Sequence, residues 1–164
     1  MEKSQWYIGT PNGVVLCIDH MEKTESGFFG RIYHAYSEKE QRVHGVAELL
    51  FELEHFYDSI NFPHPGTNER TFQNKVQNTD FKEGMTKIMS DEKLLSKHGD
   101  LGTFIIRVQH RQNSSWQGRI TWMDRDKTVY FRSVWEMIKL IASALEMVSE
   151  PEDDPLDKAW MEEE

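Results

Sequence analysis

Several features that often reveal a protein's class are missing from this sequence. Cys17 is the only cysteine among 164 residues, which excludes an intramolecular disulfide and a cysteine-based zinc site. No apolar run approaches the roughly 18 residues of a membrane span, and the N-terminal MEKSQWYIGTPNG lacks the apolar segment of a secretion signal. These absences predict a cytoplasmic protein with no membrane association.

An excess of positive charge is missing as well. The chain has 19 Lys and Arg against 28 Asp and Glu, a net charge of −9, which argues against a general nucleic-acid binder. The charge is unevenly placed, with a net of −5 over 1–103, +3 over 104–148 and −7 over 149–164. A mildly basic segment therefore lies inside an acidic chain.

Sequence signatures of catalysis and of metal binding are absent too. There is no Gly-x-Ser-x-Gly motif and no glycine-rich phosphate loop, and the seven histidines are scattered without HxxxH or HExxH spacing. Cys17 lies between two apolar residues, as a packed thiol does, and Ser114 and Ser115 occupy a predicted turn. We therefore expect no catalytic residue, no metal site, no cofactor and no enzymatic activity.

An internal repeat is present across most of the chain. Three pairs of segments match, at offsets of 90, 88 and 88 residues: 14–20 (VVLCIDH) with 104–110 (FIIRVQH), 27–34 (GFFGRIYH) with 115–122 (SWQGRITW), and 45–60 with 133–148. In the third pair, every core-type position of one predicted helix has an apolar partner in the other. The order and spacing of the matches favour a duplication over chance similarity.

Each copy of the repeat is predicted to form three antiparallel strands followed by a helix, because its apolar residues alternate and then take helical spacing. We therefore predict an α+β fold of two pseudo-repeated βββα units, which either share one sheet or pack about a pseudo-twofold axis. The predicted organisation is 1–62 as the first unit, 63–103 as a linker with short helices, 104–148 as the second unit and 149–164 as a mobile acidic tail.

The stretch HRQNSSWQGRITW at 110–122, followed by FRSVWEMIKLIASAL, is similar to a group of uncharacterised bacterial proteins. Those proteins carry an R-Q-N-x-[ST]-[WY]-Q-G-x-[IV]-x-W hairpin and then F-R-S at the start of a helix. Phe62-Pro63, Arg70 and Phe72 also resemble a segment of that group. The resemblance covers most of residues 14–145. It implies the architecture alone, since no function is known for the group.

The open face of the second predicted sheet is the candidate binding site. If the apolar side chains face the helix, strand alternation points the polar ones outward. The candidate residues are Arg107, Arg111, Gln117, Arg119, Tyr130 and Arg132. Guanidinium groups pair with phosphates and carboxylates and stack on rings, and a sheet face of this kind can bind single-stranded RNA. The alternative is that these side chains only solvate an exposed sheet face.

The sequence also predicts where the tryptophans and two of the histidines lie. Trp116 and Trp122 alternate with polar residues and are expected in the core, whereas Trp135 and Trp160 are expected to be partly exposed. His20 and His110 match across the repeat and are expected at strand ends, with a shared metal site near a pseudo-twofold axis as the less favoured alternative.

Two functional hypotheses follow from the sequence. In the first, the protein is a non-enzymatic intracellular adaptor or inhibitor that binds a protein partner through its acidic surface. In the alternative, it is a small module that binds RNA, a nucleotide or another anionic small molecule through the arginine-rich sheet face. The acidic tail would shield that face in a third arrangement, and a homodimer is left open.

Overall fold

The computed structural model describes residues 12–21, 27–61, 72, 87–112 and 115–149. The elements are β1 (Val14–Met21), β2 (Phe28–Tyr33), β3 (Gln41–His44), α1 (Gly45–Ile60), α2 (Asp91–Leu95), β4 (Gly102–Gln112), β5 (Ser115–Trp122), β6 (Lys127–Phe131) and α3 (Val134–Ser149), with a 3-10 turn at Met123–Arg125. The fold is α+β, as predicted. Within the described ranges, no helix is long and apolar enough to cross a membrane.

All six described strands belong to one sheet, in the order β3-β2-β1-β4-β5-β6. Every neighbouring pair is antiparallel, and β1 lies beside β4 at the centre, with Val15 opposite Ile105. Of the two arrangements left open above, the structure therefore has the single sheet. The pseudo-repetition of two units stays a prediction, and β4 begins at Gly102, two residues before the predicted boundary.

Helices α1 and α3 pack on the same face of the sheet, where they form the main core. Alternate strand residues supply one side of this core: Val14, Leu16, Ile18, Ile32, Val43, Phe104, Ile106, Val108, Trp116, Ile120, Trp122 and Phe131. The helices supply Leu49, Leu53, Tyr57, Met137, Ile141 and Ala144. Full burial of a large apolar side chain contributes about 1.5–3 kcal/mol, so this layer accounts for most of the stability.

The expectation for the tryptophans is confirmed where the structure describes them. Trp116 and Trp122 are buried in the main core, and Trp135 is 65 % exposed on α3. Trp160 lies outside the described residues, as does the whole of 150–164 from the predicted acidic tail.

The opposite face of the sheet is covered at its centre by residues that precede β4. Met89 and Leu94 pack there against Val15, Cys17 and Ile105 in a second, smaller core. Helix α2 begins after Ser90, whose side chain accepts the backbone N–H of Lys93 and so caps the helix. The centre of this face therefore contacts the linker, and polar side chains remain open beyond it.

A β-bulge interrupts the pairing in both halves of the sheet. The register shifts between Ile18 and His20 in the β1–β2 pair, and between Val108 and His110 in the β4–β5 pair. One extra residue in a strand reverses the face on which the following side chains lie. The side chains after Asp19 and after Gln109 therefore lie on the face opposite to the one that strict alternation predicts.

The two glycines of the repeated Gly-Arg-Ile segments lie where two strands approach closely. A Cβ added at Gly30 would lie 2.7 Å from the backbone oxygen of Cys17, and one added at Gly118 would collide with the backbone oxygen of Arg107. Both glycines are therefore required by the packing of the backbone.

A candidate anion-binding sheet face

Polar side chains of β4, β5 and β6 lie next to one another on the face of the sheet that points away from α1 and α3. Arg107 is opposite Arg119, and Arg119 is opposite Tyr130. Directly opposite residues of antiparallel strands point to the same side, so the three side chains form a row. We call this row, with its outward neighbours His110, Gln117 and Arg132, the arginine face.

Arg119 is the centre of the arginine face. Its guanidinium carbon lies 5.7 Å from the centroid of the Tyr130 ring, within the range of a cation–π contact. Its Nε is buried and, within the described part of the chain, has no hydrogen-bond partner. No carboxylate among the same residues forms an ion pair with it. Arg119 therefore holds a positive charge whose donors are not matched by an acid.

Arg107 is oriented by its neighbour on β5. Its Nη1 donates a hydrogen bond of 3.0 Å to Oγ1 of Thr121, which in turn lies 2.8 Å from Oγ1 of Thr128. Threonine hydroxyls both donate and accept, so this chain of hydrogen bonds orients the Arg107 side chain. The row thus brings two guanidinium groups together on one surface.

The next row of the arginine face is more exposed. Gln117 is exposed and lies opposite His110. Arg132 follows the last residue of β6, and its side chain is 86 % exposed, with an Nη2–Oε2 distance of 3.4 Å to Glu136. Exposed ion pairs of this kind contribute little to the free energy of folding, so Arg132 can exchange Glu136 for a bound partner.

The structure corrects the expected position of Arg111. Its side chain is 5 % exposed and lies on the helix side of the sheet, where Nη1 pairs with Oδ1 of Asp58 at 2.8 Å. The guanidinium also lies 5.7 Å from the centroid of the Tyr57 ring. The cause is the bulge at Gln109, which turns Arg111 inward and His110 outward. Arg111 is therefore a structural residue of the core boundary.

His110 is the residue of the arginine face that the sequence analysis missed. Strict alternation assigns His110 to the inner face, and a bulge leaves no reliable mark in a single sequence. The only available signal was the matching of His20 with His110 at two strand ends. The two histidines do not face each other, because β1 and β4 are antiparallel around Val15 and Ile105 and carry them to opposite ends of the sheet.

The first half of the sheet has an arginine in the same register, but each of its three guanidinium nitrogens has a hydrogen-bond partner. Arg31 lies opposite Cys17, and the bulge that follows holds Asp19. Nε and Nη2 of Arg31 each donate to Asp19 at 2.8 Å, and Nη1 donates to the Tyr33 hydroxyl at 2.6 Å. Nη2 also donates to the His98 backbone oxygen. The hydrogen bond to Asp19 raises the pKa of Arg31.

The other chemically reactive groups do not form a second site on this face. Burial raises the pKa of the Cys17 thiol to about 12, so the thiolate that a nucleophile requires is scarce near neutral pH. Among the described residues, no group of three His, Cys, Asp or Glu side chains is placed to hold a metal ion.

Comparison with protein-family models, with curated proteins and with solved structures gives no match. The resemblance of the 110–122 segment to a bacterial group therefore stays a prediction. The function has to be inferred from the geometry of the site.

Proposed function

We propose that this protein is a non-enzymatic, cytoplasmic binding protein, and that its arginine face binds single-stranded RNA or a nucleotide. The observation that carries the proposal is the contrast between two arginines in the same register. Arg31 forms an ion pair with the bulge residue Asp19. The bulge residue next to Arg119 is the uncharged Gln109. The Nε of Arg119 has no hydrogen-bond partner among the described residues. A guanidinium group that pairs with no described carboxylate can take a bound anion as its partner.

The arrangement of the face fits a phosphate next to a planar ring. Arg107 and Arg119 would donate to phosphate oxygens from adjacent strands, since guanidinium groups match phosphate geometry. Tyr130 is 66 % exposed, and an exposed aromatic ring on a sheet offers a stacking surface for a base. Gln117 and His110 would supply hydrogen bonds to the polar edge of that base.

The direct test is the binding of a fluorescein-labelled oligouridylate, followed by fluorescence anisotropy at several salt concentrations. The double variant Arg119→Ala/Arg132→Ala should bind at least about tenfold more weakly, and its affinity should depend less steeply on salt. A matched control, Arg42→Ala/Lys139→Ala, removes the same charge outside the arginine face and should leave binding unchanged. UMP and inorganic phosphate as competitors separate a nucleotide site from a general anion site.

Two results of this titration would overturn the proposal. The first is no binding of oligouridylate or UMP to the unmodified protein at low salt. The second is an equal loss of affinity in the double variant and in the matched control, because net charge alone would then explain the binding.

A protein partner bound through acidic surface is the second candidate function. Its support is the net charge of −7 over 149–164 in the sequence. The described residues are nearly balanced, with 14 Asp and Glu against 13 Lys and Arg. A protein partner that is attracted by negative charge would therefore bind the acidic part of the sequence, over 149–164. Affinity purification from native lysate distinguishes the candidates, since recovery of RNA without a stable protein partner contradicts this one.

We also propose that the two halves of the chain arose by duplication. The support is the shared register: Ile18 opposite Gly30 corresponds to Val108 opposite Gly118, with a bulge following in each pair. A chain that joins two copies of the second half should then fold with the same sheet order. Failure of that chain to fold cooperatively would count against the proposal.

A further inference from the structure

A cavity opens on the helix side of the first half of the sheet, on the face opposite to the arginine face. Its volume is about 170 Å³, and it lies between β2 and the second half of α1. Val14, Ile32 and Leu53 form an aliphatic floor, and each of them is nearly fully buried. Voids of this size are few in a protein interior.

The cavity exists because the first half carries smaller side chains than the second half in the same register. Phe104 lies opposite Trp122, and both rings are buried and stacked at 6.4 Å between centroids. In the first half, Val15 lies opposite Tyr33, so the same register places Val14 beside His34. Valine and histidine fill less space than phenylalanine and tryptophan. The packed core of the second half is therefore replaced by an open cavity in the first.

The wall of the cavity is aromatic and carries a hydrogen-bond donor. The His34 ring is stacked on Phe56, with 4.1 Å between centroids. Nδ1 of His34 accepts the backbone N–H of Tyr36 at 3.2 Å, so the neutral ring carries its proton on Nε2. Burial lowers the pKa of His34, which favours this neutral form. The cavity thus offers a ring face and an N–H group.

The rim of the cavity is acidic. Glu52 is half-buried and is the only carboxylate among the described lining residues, which include no lysine or arginine. A ligand there would meet an aliphatic floor, an aromatic wall and one negative charge at the opening. Ligand sites typically combine mostly apolar walls with a few placed polar groups.

We propose that this cavity binds a small monocyclic aromatic ligand that carries a cationic amine or amidine group. The volume fits one ring, since an engineered cavity of about 150 Å³ in another protein binds benzene. The ring packs on Leu53 and beside Phe56, and the cationic group pairs with the Glu52 carboxylate. The cavity differs from the arginine face in position and in charge, so ligand binding there does not depend on the proposed RNA binding.

The test compares three probes of nearly equal shape by isothermal titration calorimetry: benzamidine, benzamide and benzoate. Benzamidine should bind most tightly, benzamide roughly threefold to fivefold more weakly, as expected for one partly exposed charge pair, and benzoate most weakly. The Glu52→Gln variant should bind benzamidine no better than benzamide. The control Glu92→Gln removes an exposed carboxylate on α2 and should keep the preference.

A second variant tests the cavity itself. His34→Trp introduces the side chain that the second half has in this register, and it should abolish binding of all three probes. If this variant does not fold, the Glu52→Gln result decides. The proposal is overturned if no probe binds, if the three probes bind equally, or if a folded His34→Trp protein still binds benzamidine.

Discussion

The two halves of the outward sheet face place an arginine in the same backbone register but surround it with different partners. In the first half, Arg31 is held by Asp19 and by the Tyr33 hydroxyl. In the second half, Arg119 lies in the same place relative to its bulge, but the bulge residue is Gln109. One difference in charge at a bulge therefore separates an internal ion pair from an arginine that pairs with no described carboxylate.

The comparison shows that a count of arginines on a face is a poor guide to binding. Arg31 is part of the fold, because each of its guanidinium nitrogens donates to a group within the protein. Arg119 differs in its partners rather than in its position. The proposed binding surface therefore depends on which arginines lack a carboxylate partner among the described residues.

The largest expected effect on stability concerns the residues that follow the two bulges. Arg111 is buried against Tyr57 and Asp58, whereas Met21, which follows the bulge of β1, is 51 % exposed. Arg111→Ala should lower the free energy of unfolding by roughly 2 kcal/mol, through lost packing and a lost ion pair. Met21→Ala should change it by less than about 0.5 kcal/mol. Urea unfolding measures both, and equal losses would contradict the assignment of Arg111 to the core boundary.

A smaller effect is expected at the bulge residues themselves. Asp19→Asn leaves the half-buried Arg31 guanidinium without its carboxylate, and should cost about 1 kcal/mol of unfolding free energy. Gln109→Asn shortens an uncharged side chain by one methylene and removes no ion pair among the described residues. It should therefore lower the free energy of unfolding by less than about 0.5 kcal/mol. Thermal unfolding of both variants under the same conditions compares them. A larger loss for Gln109→Asn would break the contrast between the two halves.

The smallest effect is the pH dependence that His34 of the first half contributes to stability. Burial lowers the pKa of His34 from its usual value near 6.5, so the unfolded chain takes up this proton first. The stability contribution is complete above about pH 6.5, and it is lost as the pH falls from there through the lowered pKa. Trp122, in the matching register, does not titrate. Unfolding of the protein and of His34→Phe at several pH values should show a steeper acid loss for the former, and parallel profiles would contradict this.

The sequence predicted the helix-facing side of the sheet well, because period-2 alternation is a direct consequence of strand geometry. Trp116, Ile120 and Trp122 lie in the core as their alternation required. The α+β class and the antiparallel strands followed from the same periodicity. The choice between one sheet and two packed units did not, since it depends on the pairing of β1 with β4, which are about ninety residues apart in the chain.

The site was predicted less well because a single bulge changes its membership. Arg107, Gln117, Arg119 and Tyr130 lie outward in the strand register, but Arg111 is buried and His110 takes its place. Arg132 follows the last residue of β6 and pairs with Glu136 at the start of α3. A bulge is a tertiary feature that one sequence does not encode in composition or period. The cavity beside His34 also escaped prediction, because the smaller side chains of the first half do not by themselves show how closely α1 packs against β2.

A carboxylate introduced at the second bulge shows whether the unpaired charge of Arg119 is what binds RNA. The affinity of labelled oligouridylate should be measured for Gln109→Asp, with Gln109→Asn and the remote Gln41→Asp as controls for shape and for net charge. Gln109→Asp gives Arg119 the carboxylate that Arg31 has, so we predict at least about tenfold weaker binding, against less than twofold for either control. Binding by Gln109→Asp that equals binding by the two controls would contradict the account.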